Sequence, residues 1–173
     1  RTILDMELDR EKEKNNLMPL DVKIGVMLEV PSLVHRLEHL LPLVDFLSVG
    51  TNDLFQFFYA SDRGNPNLSN KYDTLSPTFL SYLKEIRDLA HKFHTPISVC
   101  GEMASHPLDA LALLGIGYDG LSMVSSAVGP MKLMLKHLYL NSFREFMAYL
   151  LKMTKRSIRE DVRAYAVDYG ILI

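Results

Sequence analysis

The chain has a single cysteine, Cys100, and almost no excess of either charge. One cysteine excludes a disulfide framework and fits a reducing compartment such as the cytoplasm. The 19 basic and 21 acidic residues give a formal net charge of -2, so the electrostatic footprint of a nucleic-acid-binding protein is missing. No basic run suggests a membrane surface, and no apolar run reaches the roughly 18 residues that span a bilayer. We therefore expect neither a nucleic-acid partner nor a membrane partner.

The amino-terminal segment also lacks two features. It begins with Arg1 instead of Met, and residues 1–16 have no apolar core of the kind found in signal peptides. The 173 residues suffice for one ordinary domain or part of a larger one. With 48% hydrophobic and 23% charged residues, the composition is that of a globular domain with a sizeable core. We expect a folded piece cut from a longer protein.

Short apolar segments alternate with segments of helical periodicity. The predicted strands cover residues 23–29, 46–50, 96–100 and 120–124. The predicted helices cover 1–14, 32–41, 77–93, 106–115, 129–139, 142–153 and 157–170, with Ser32 and Ser76 as N-caps and Gly115 as a C-cap. Continuously apolar strands are typical of a parallel sheet with helices on both faces. Four such units fit a small doubly wound sheet or half of an eight-stranded barrel, and the local pattern leaves both open.

Carboxylate and amide side chains follow the first two predicted strands. Glu29 ends the first strand, and Asn52 and Asp53 follow the second, about one strand-helix-strand step later. In both candidate folds the functional groups gather at the carboxyl ends of the strands, and neighbouring strands lie about 4.8 Å apart. Two carboxylates with waters and a phosphate oxygen make a hard oxygen site suited to Mg²⁺. The alternative for Asp53 is a helix N-cap, and for Glu29 a surface acid.

Two further residues stand near the same carboxyl ends of the predicted strands, which we call the rim. Cys100 ends the third strand just before Gly101, where it is either a small buried apolar residue or a reactive thiol. Arg63 lies in the segment after the second strand and is either a solvated charge or a phosphate-binding guanidinium. The six histidines show no metal-ligand spacing. From these patterns alone, the rim is a candidate metal site and nothing more specific.

Five separated motifs together resemble one family. These are "GVMLEVP", "DFLSVGTNDLFQF", "DRGNPN", "CGEMASHP" and "GLSMVSSAVGP". They resemble, in order and approximate spacing, the phosphoenolpyruvate-binding domain of enzyme I of the phosphotransferase system. The likeness runs over about residues 1–139, and the helical tail of residues 140–173 is most similar to the nitrogen-branch form of the enzyme, as opposed to the sugar-transport form.

The resemblance implies an α/β fold, a (βα)8 barrel of which this chain carries strands five to eight, followed by the helical tail. It implies that Glu29 and Asp53 bind Mg²⁺, that Asn52 and Asp53 contact phosphoenolpyruvate, and that Arg63 binds the phosphate. Cys100 is implied as the catalytic acid that protonates the methylene carbon. A thiol with an ordinary pKa of about 8.5 is a usable proton donor near neutral pH.

The implied enzyme is a cytoplasmic, dimeric phosphoenolpyruvate-protein phosphotransferase. In the family, a histidine on a separate amino-terminal domain accepts the phosphoryl group and passes it to a small histidine-bearing carrier protein similar to HPr, and pyruvate is released. That domain and two substrate arginines of the early barrel strands are absent here, so we expect this chain alone to be inactive. Two alternatives are a fragment of pyruvate phosphate dikinase or phosphoenolpyruvate synthase, and a non-catalytic regulatory or dimerisation half-barrel.

Overall fold

A four-stranded parallel sheet is the centre of the structure, a computed structural model that describes residues 1–62 and 71–173. The strands lie in sequence order, and each pairs in parallel with the next. They are β1 (Gly25–Leu28), β2 (Phe46–Gly50), β3 (Ile97–Cys100) and β4 (Gly120–Leu121). The prediction of four parallel strands is confirmed, although β1 and β4 are shorter than the sequence indicated.

Helices connect the strands and form the tail. Those between and before the strands are α1 (Thr2–Glu13), α2 (Leu37–Leu40), α3 (Thr51–Phe58), α4 (Pro77–Lys92), α5 (Glu102–Ser105) and α6 (Pro107–Gly115). Those after β4 are α7 (Ser125–Lys136), α8 (Leu140–Leu150) and α9 (Arg159–Asp168). Two 3-10 segments, Pro31–Arg36 and Leu41–Leu43, flank α2. Within the ranges that the structure covers, no helix combines the length and the hydropathy needed to cross a bilayer.

The two faces of the sheet differ in burial. Side chains alternate along a strand, and one face presents apolar groups, of which Leu28, Leu47, Val49, Ile97 and Val99 are buried. The other face is half open, with Met27 50% and Phe46 41% exposed. The expectation that both faces are covered by helices is therefore wrong for the part of the chain described. The open face carries small and polar residues near the strand ends: Ser48, Gly50, Ser98 and Cys100.

Helix α4 covers the buried face and shows how the sequence sets its limits. Pro77 occupies its first turn, and the Ser76 hydroxyl accepts a hydrogen bond of 3.2 Å from the Phe79 N–H, which confirms the predicted cap. Its apolar positions Phe79, Leu80, Leu83 and Ile86 are fully buried in the core. A proline and a serine thus fix where the helix begins, and helical periodicity fixes which side packs on the sheet.

Three local predictions are corrected by the structure. Ser32 is no cap, because the chain enters a 3-10 segment at Pro31 after Val30. Gly115 lies inside α6, where an added Cβ would come within 2.5 Å of Met147, and it is Gly117, with φ +101°, that allows the turn after the helix. Residues 51–58, expected as a loop, form α3 directly after β2.

The tail helices pack on the rest of the molecule. Helix α8 buries Phe143 and Met147 against α6, where Gly115 leaves room for them. The Ile158 N–H donates a 2.9 Å hydrogen bond to the Leu75 carbonyl, just before α4. Helix α9 buries Val162 and Ala166. The tail is therefore attached to the segment between α3 and α4 as well as to α6.

Candidate functional site at the strand ends

The strand register brings the predicted rim residues to one edge of the sheet. Leu28 pairs with Val49, and Gly50 pairs with Cys100, so Glu29, Gly50 and Cys100 follow one another across three neighbouring strands. The Glu29 carboxylate lies over Gly50, since a Cβ added there would be 3.0 Å from Oε2 of Glu29. A side chain at position 50 would therefore displace the carboxylate from this place.

Helix α3 sets the positions of Asn52 and Asp53. It begins at Thr51, directly after β2, and Gly50 is its N-cap without a side-chain capping bond. Asp53 is the third residue of the helix, so the N-cap interpretation of Asp53 is wrong. A carboxylate in the first turn is favoured by the positive end of the helix dipole. The side chains of Asn52 and Asp53 are half-buried at the rim.

A glycine lets the end of β3 approach α3 closely. Gly101 has φ +103°, and a Cβ there would lie 2.7 Å from Thr51 Oγ1 and 2.8 Å from Asn52 Oδ1. The buried Thr51 hydroxyl donates a 2.8 Å hydrogen bond to the Cys100 carbonyl, and the Glu102 N–H donates one of 3.0 Å to Asn52 Oδ1. With its oxygen engaged, the Asn52 amide has its two N–H donors left for another partner.

The thiol of Cys100 lies on the open face of the sheet and is half-buried. Its Sγ donates to the Val49 carbonyl at 3.5 Å and accepts from the Ser48 hydroxyl at 3.5 Å. These weak contacts orient the thiol and leave it accessible from the open face. Cys100 is therefore not the fully buried apolar residue that one interpretation of the sequence allowed.

The donor set of the rim fits Mg²⁺. Neither Glu29 nor Asp53 has a salt bridge or side-chain hydrogen bond within residues 1–62 and 71–173. Over the same residues, no group of three or more His, Cys, Asp or Glu is arranged to hold a metal ion. Two carboxylates are nonetheless a common protein contribution to Mg²⁺, because that ion usually keeps waters and binds substrate phosphate oxygens as well.

The remaining predicted site residue, Arg63, lies outside the described residues. Asp62, the last residue before it that the structure covers, is exposed. Of the predicted site residues, Glu29, Asn52 and Cys100 lie at the ends of neighbouring strands, and Asp53 follows Asn52 in the first turn of α3.

The sequence interpretation missed an ionic cluster beside the rim, which we call the tail clamp: Asp73, Asp109 and Arg159. The Arg159 guanidinium, 30% exposed, donates to both carboxylates, at 2.7 Å and 3.1 Å to Asp73 and at 3.0 Å and 3.2 Å to Asp109. The Ser157 hydroxyl donates to Asp73 at 2.7 Å, and the Thr74 hydroxyl donates to Asp109. The three residues of the tail clamp are too far apart in sequence for a local pattern to reveal the cluster.

The electrostatics of the clamp follow from these bonds. Burial opposes ionisation of Asp73, but the hydrogen bonds from Arg159, the Leu75 N–H and Ser157 outweigh it and lower the pKa of Asp73 from 3.8 to about 2. The same bonds raise the pKa of Arg159, with Asp73 contributing most, partial burial opposing, and Asp109 adding to the rise. Asp73 and Arg159 are therefore both ionised near neutral pH.

A cavity of about 370 Å³ separates the clamp from the rim. Asn52 and Glu102 lie on one side and Arg159 on the other. The complete lining is Thr51, Asn52, Phe55, Thr74, Glu102, Met103, His106, Asp109 and Arg159. The rim and the clamp are thus two sides of one hollow.

The fold and the rim define a class: a parallel α/β domain with a polar ligand site at the carboxyl ends of its strands. The family model of the phosphoenolpyruvate-utilising enzymes, phosphoenolpyruvate-binding domain, matches residues 2–140. The chain belongs to this family.

Three relatives show the same relationship. The chain is 45% identical over 116 residues to "Phosphoenolpyruvate-dependent phosphotransferase system" of Salmonella typhimurium, covering 67% of this chain and 16% of that protein. It is 38% identical over 124 residues to "Multiphosphoryl transfer protein 1" of Escherichia coli, covering 72% and 15%. It is 33% identical over 141 residues to "Phosphoenolpyruvate-protein phosphotransferase" of Buchnera aphidicola, covering 82% and 25%. The chain spans a quarter or less of the length of these relatives.

Proposed function

We propose that this chain is part of the catalytic domain of a phosphoenolpyruvate-protein phosphotransferase. The enzyme moves the phosphoryl group of phosphoenolpyruvate to a histidine on another domain and then to an HPr-like carrier protein, with release of pyruvate. The observation that carries the proposal is that Glu29, Asn52 and Cys100 follow the ends of three adjacent parallel strands, with Asp53 next to Asn52 in α3. The family match and the names of the relatives support it.

The residues take the following roles in this proposal. Glu29 and Asp53 hold Mg²⁺, which neutralises charge on the non-bridging phosphate oxygens. The Asn52 amide, whose oxygen is held by the Glu102 N–H, directs its N–H donors towards the anionic substrate. Arg63 binds the phosphate end, as the family resemblance implies. No other residue is needed at the rim to bind the metal or the substrate carboxylate within this half of the domain.

The chemical step balances without a further reactant. The bond from phosphorus to the enol oxygen breaks as the histidine nitrogen forms its bond to phosphorus, which leaves the enolate of pyruvate. Cys100 then gives its proton to the methylene carbon, and pyruvate and a thiolate result. The thiol lies at the carboxyl end of β3, which suits this role because ligands of such folds bind at that end of the strands.

The half-open sheet also supports the proposal that the chain is the second half, strands five to eight, of a (βα)8 barrel. In a closed barrel the inward face is filled by side chains from all the strands, and here Met27 and Phe46 remain exposed on that face. We propose that the first half of the barrel covers them, in a cytoplasmic protein that forms a homodimer.

The first test is a calorimetric titration of phosphoenolpyruvate, with and without Mg²⁺, into the protein made from the complete gene. We expect binding that requires Mg²⁺ and is lost in Asp53→Ala. The matched control is Asp9→Ala, which removes an exposed carboxylate on α1 and should bind as the unmodified protein does. If the unmodified protein ignores phosphoenolpyruvate in the presence of Mg²⁺, the phosphotransferase proposal fails and a regulatory half-barrel becomes the better account.

A further inference from the structure

We propose that Arg159, in the helical tail, is a positioning residue for the candidate site. By holding Asp73 and Asp109 together, it fixes α3 relative to α5, and so fixes the Asn52 amide that these two helices share. This inference rests on the proposed function for its kinetic consequence. Its structural content stands on the contacts of the tail clamp alone.

The first arm of the clamp leads from Asp73 to α3. Ser76 stands three residues after Asp73, and its Oγ lies 2.6 Å from the hydroxyl of Tyr59, which directly follows α3. It is preceded by Tyr72, whose ring stacks on that of Tyr59 at 4.2 Å. The segment that holds Asp73 is therefore packed on the helix that carries Asn52 and Asp53.

The second arm leads from Asp109 to α5. Asp109 is 5% exposed and lies in the first turn of α6, which follows α5 after a single residue, His106. The first residue of α5, Glu102, donates its N–H to Asn52 Oδ1. A shift of α6 would move this N–H away from the Asn52 amide.

The cavity explains why a clamp is needed. The hollow of about 370 Å³ lies beside the contact between α3 and α5, so the two helices lack side-chain packing on the side that faces the clamp. One guanidinium with donors to two carboxylates spans the gap, and its planar fork makes both contacts at once. The contacts join residues 86 and 50 positions apart in sequence. A residue of the tail therefore makes the ionic connection between the two carboxylates.

The test compares Arg159→Lys with Arg163→Lys in the protein made from the complete gene. Lysine keeps the charge at position 159 but has no fork to reach both carboxylates. Arg163 is on the same helix, half-exposed, and among the described residues it pairs only with Glu160, at 3.5 Å. We expect Arg159→Lys to raise the KM for phosphoenolpyruvate about fivefold or more, with kcat within about twofold, and Arg163→Lys to change neither. An unchanged KM in folded Arg159→Lys overturns the proposal.

A second readout needs no substrate. Hydrogen exchange of the peptide covering residues 98–106 should show the Glu102 amide exchanging about tenfold faster in Arg159→Lys than in Arg163→Lys. If the unmodified protein does not use phosphoenolpyruvate, the proposed function fails and this exchange rate alone decides the positioning role. Equal exchange in the two variants would then refute it.

Should Arg159→Lys not fold, Ser157→Ala replaces it. This change keeps the Arg159 side chain and removes the 2.7 Å bond from the Ser157 hydroxyl to Asp73, together with the 3.1 Å bond that the hydroxyl accepts from the Arg159 N–H. We expect a rise of about twofold in the KM and a smaller acceleration of Glu102 exchange. No change in either quantity would contradict the positioning role.

Discussion

The carboxylates of the rim and those of the tail clamp differ in their partners. Within residues 1–62 and 71–173, Glu29 and Asp53 have no cationic side chain near them, whereas Asp73 and Asp109 share Arg159. Removing carboxylates from water without a cation costs free energy. Under the proposed function, the unpaired set receives a cation that comes with the ligand.

We infer from this difference that the clamp carboxylates serve stability and the rim carboxylates serve function. The clamp carboxylates are paired with Arg159 in the folded chain, so they contribute to the free energy of unfolding. The rim carboxylates have no such partner in the described residues, and under the proposed function they contribute when Mg²⁺ and substrate bind. Three changes test this division, and they are given from the largest expected effect on stability to the smallest.

Arg159→Leu should have the largest effect. It leaves Asp73 and Asp109 without their cation, and losing one partner of a buried ionic cluster costs about 3–5 kcal/mol. Because the guanidinium is 30% exposed, we expect about 3 kcal/mol. Urea denaturation measures the loss in free energy of unfolding. Arg163→Leu, with an exposed partner, is the control and should cost less than about 1 kcal/mol. Equal losses of unfolding free energy in the two variants would show that the clamp stabilises the fold no more than an exposed ion pair does.

Acidification should have an intermediate effect through Asp73. Its pKa in the folded chain is about 2, below the ordinary 3.8, so its contribution is complete above about pH 4 and is lost as the pH falls towards 2. Allowing for its side chain being 25% exposed, this contribution is about 1–2 kcal/mol. Unfolding midpoints between pH 5 and 2 should show a smaller acid dependence in Asp73→Asn. An identical dependence in both proteins would count against the paired state of Asp73.

Asp53→Asn should have the smallest effect on stability. Asp53 has no ionic partner in the described part of the chain, so the free energy of unfolding should change by less than about 0.5 kcal/mol without Mg²⁺. The same variant should lose the stabilisation that Mg²⁺ with phosphoenolpyruvate gives the unmodified protein. Thermal unfolding with and without both ligands measures the two quantities. A large loss without ligand would show that Asp53 is structural.

Sequence periodicity was sufficient for the sheet and for most of the rim. Apolar runs and the cap at Ser76 predicted the strands and α4, and parallel order then placed Glu29, Asn52 and Cys100 at one edge. It was insufficient for α3, where "TNDLFQFF" begins a helix without a capping side chain and the polar residues suggested a loop. The apolar spacing of Leu54, Phe55 and Phe58 was the available signal.

The tail clamp could not be predicted, for a different reason. Asp73, Asp109 and Arg159 belong to three segments that only the packing of the tail on α6 brings together. Each taken alone is an ordinary charged residue beside a turn or in a first helical turn. A long-range ionic cluster produces no periodic pattern in the sequence, whereas apolar strands do and so reveal where they end.

The long separation of the clamp residues has a consequence for synthesis of the chain on the ribosome. Arg159 is translated 50 residues after Asp109, which takes about 3–10 seconds at roughly 5–20 residues per second. During that interval both carboxylates are made but have no guanidinium to pair with. The sheet and α4 can assemble first, and the rim acquires its final geometry only when the last helix of the tail emerges and docks.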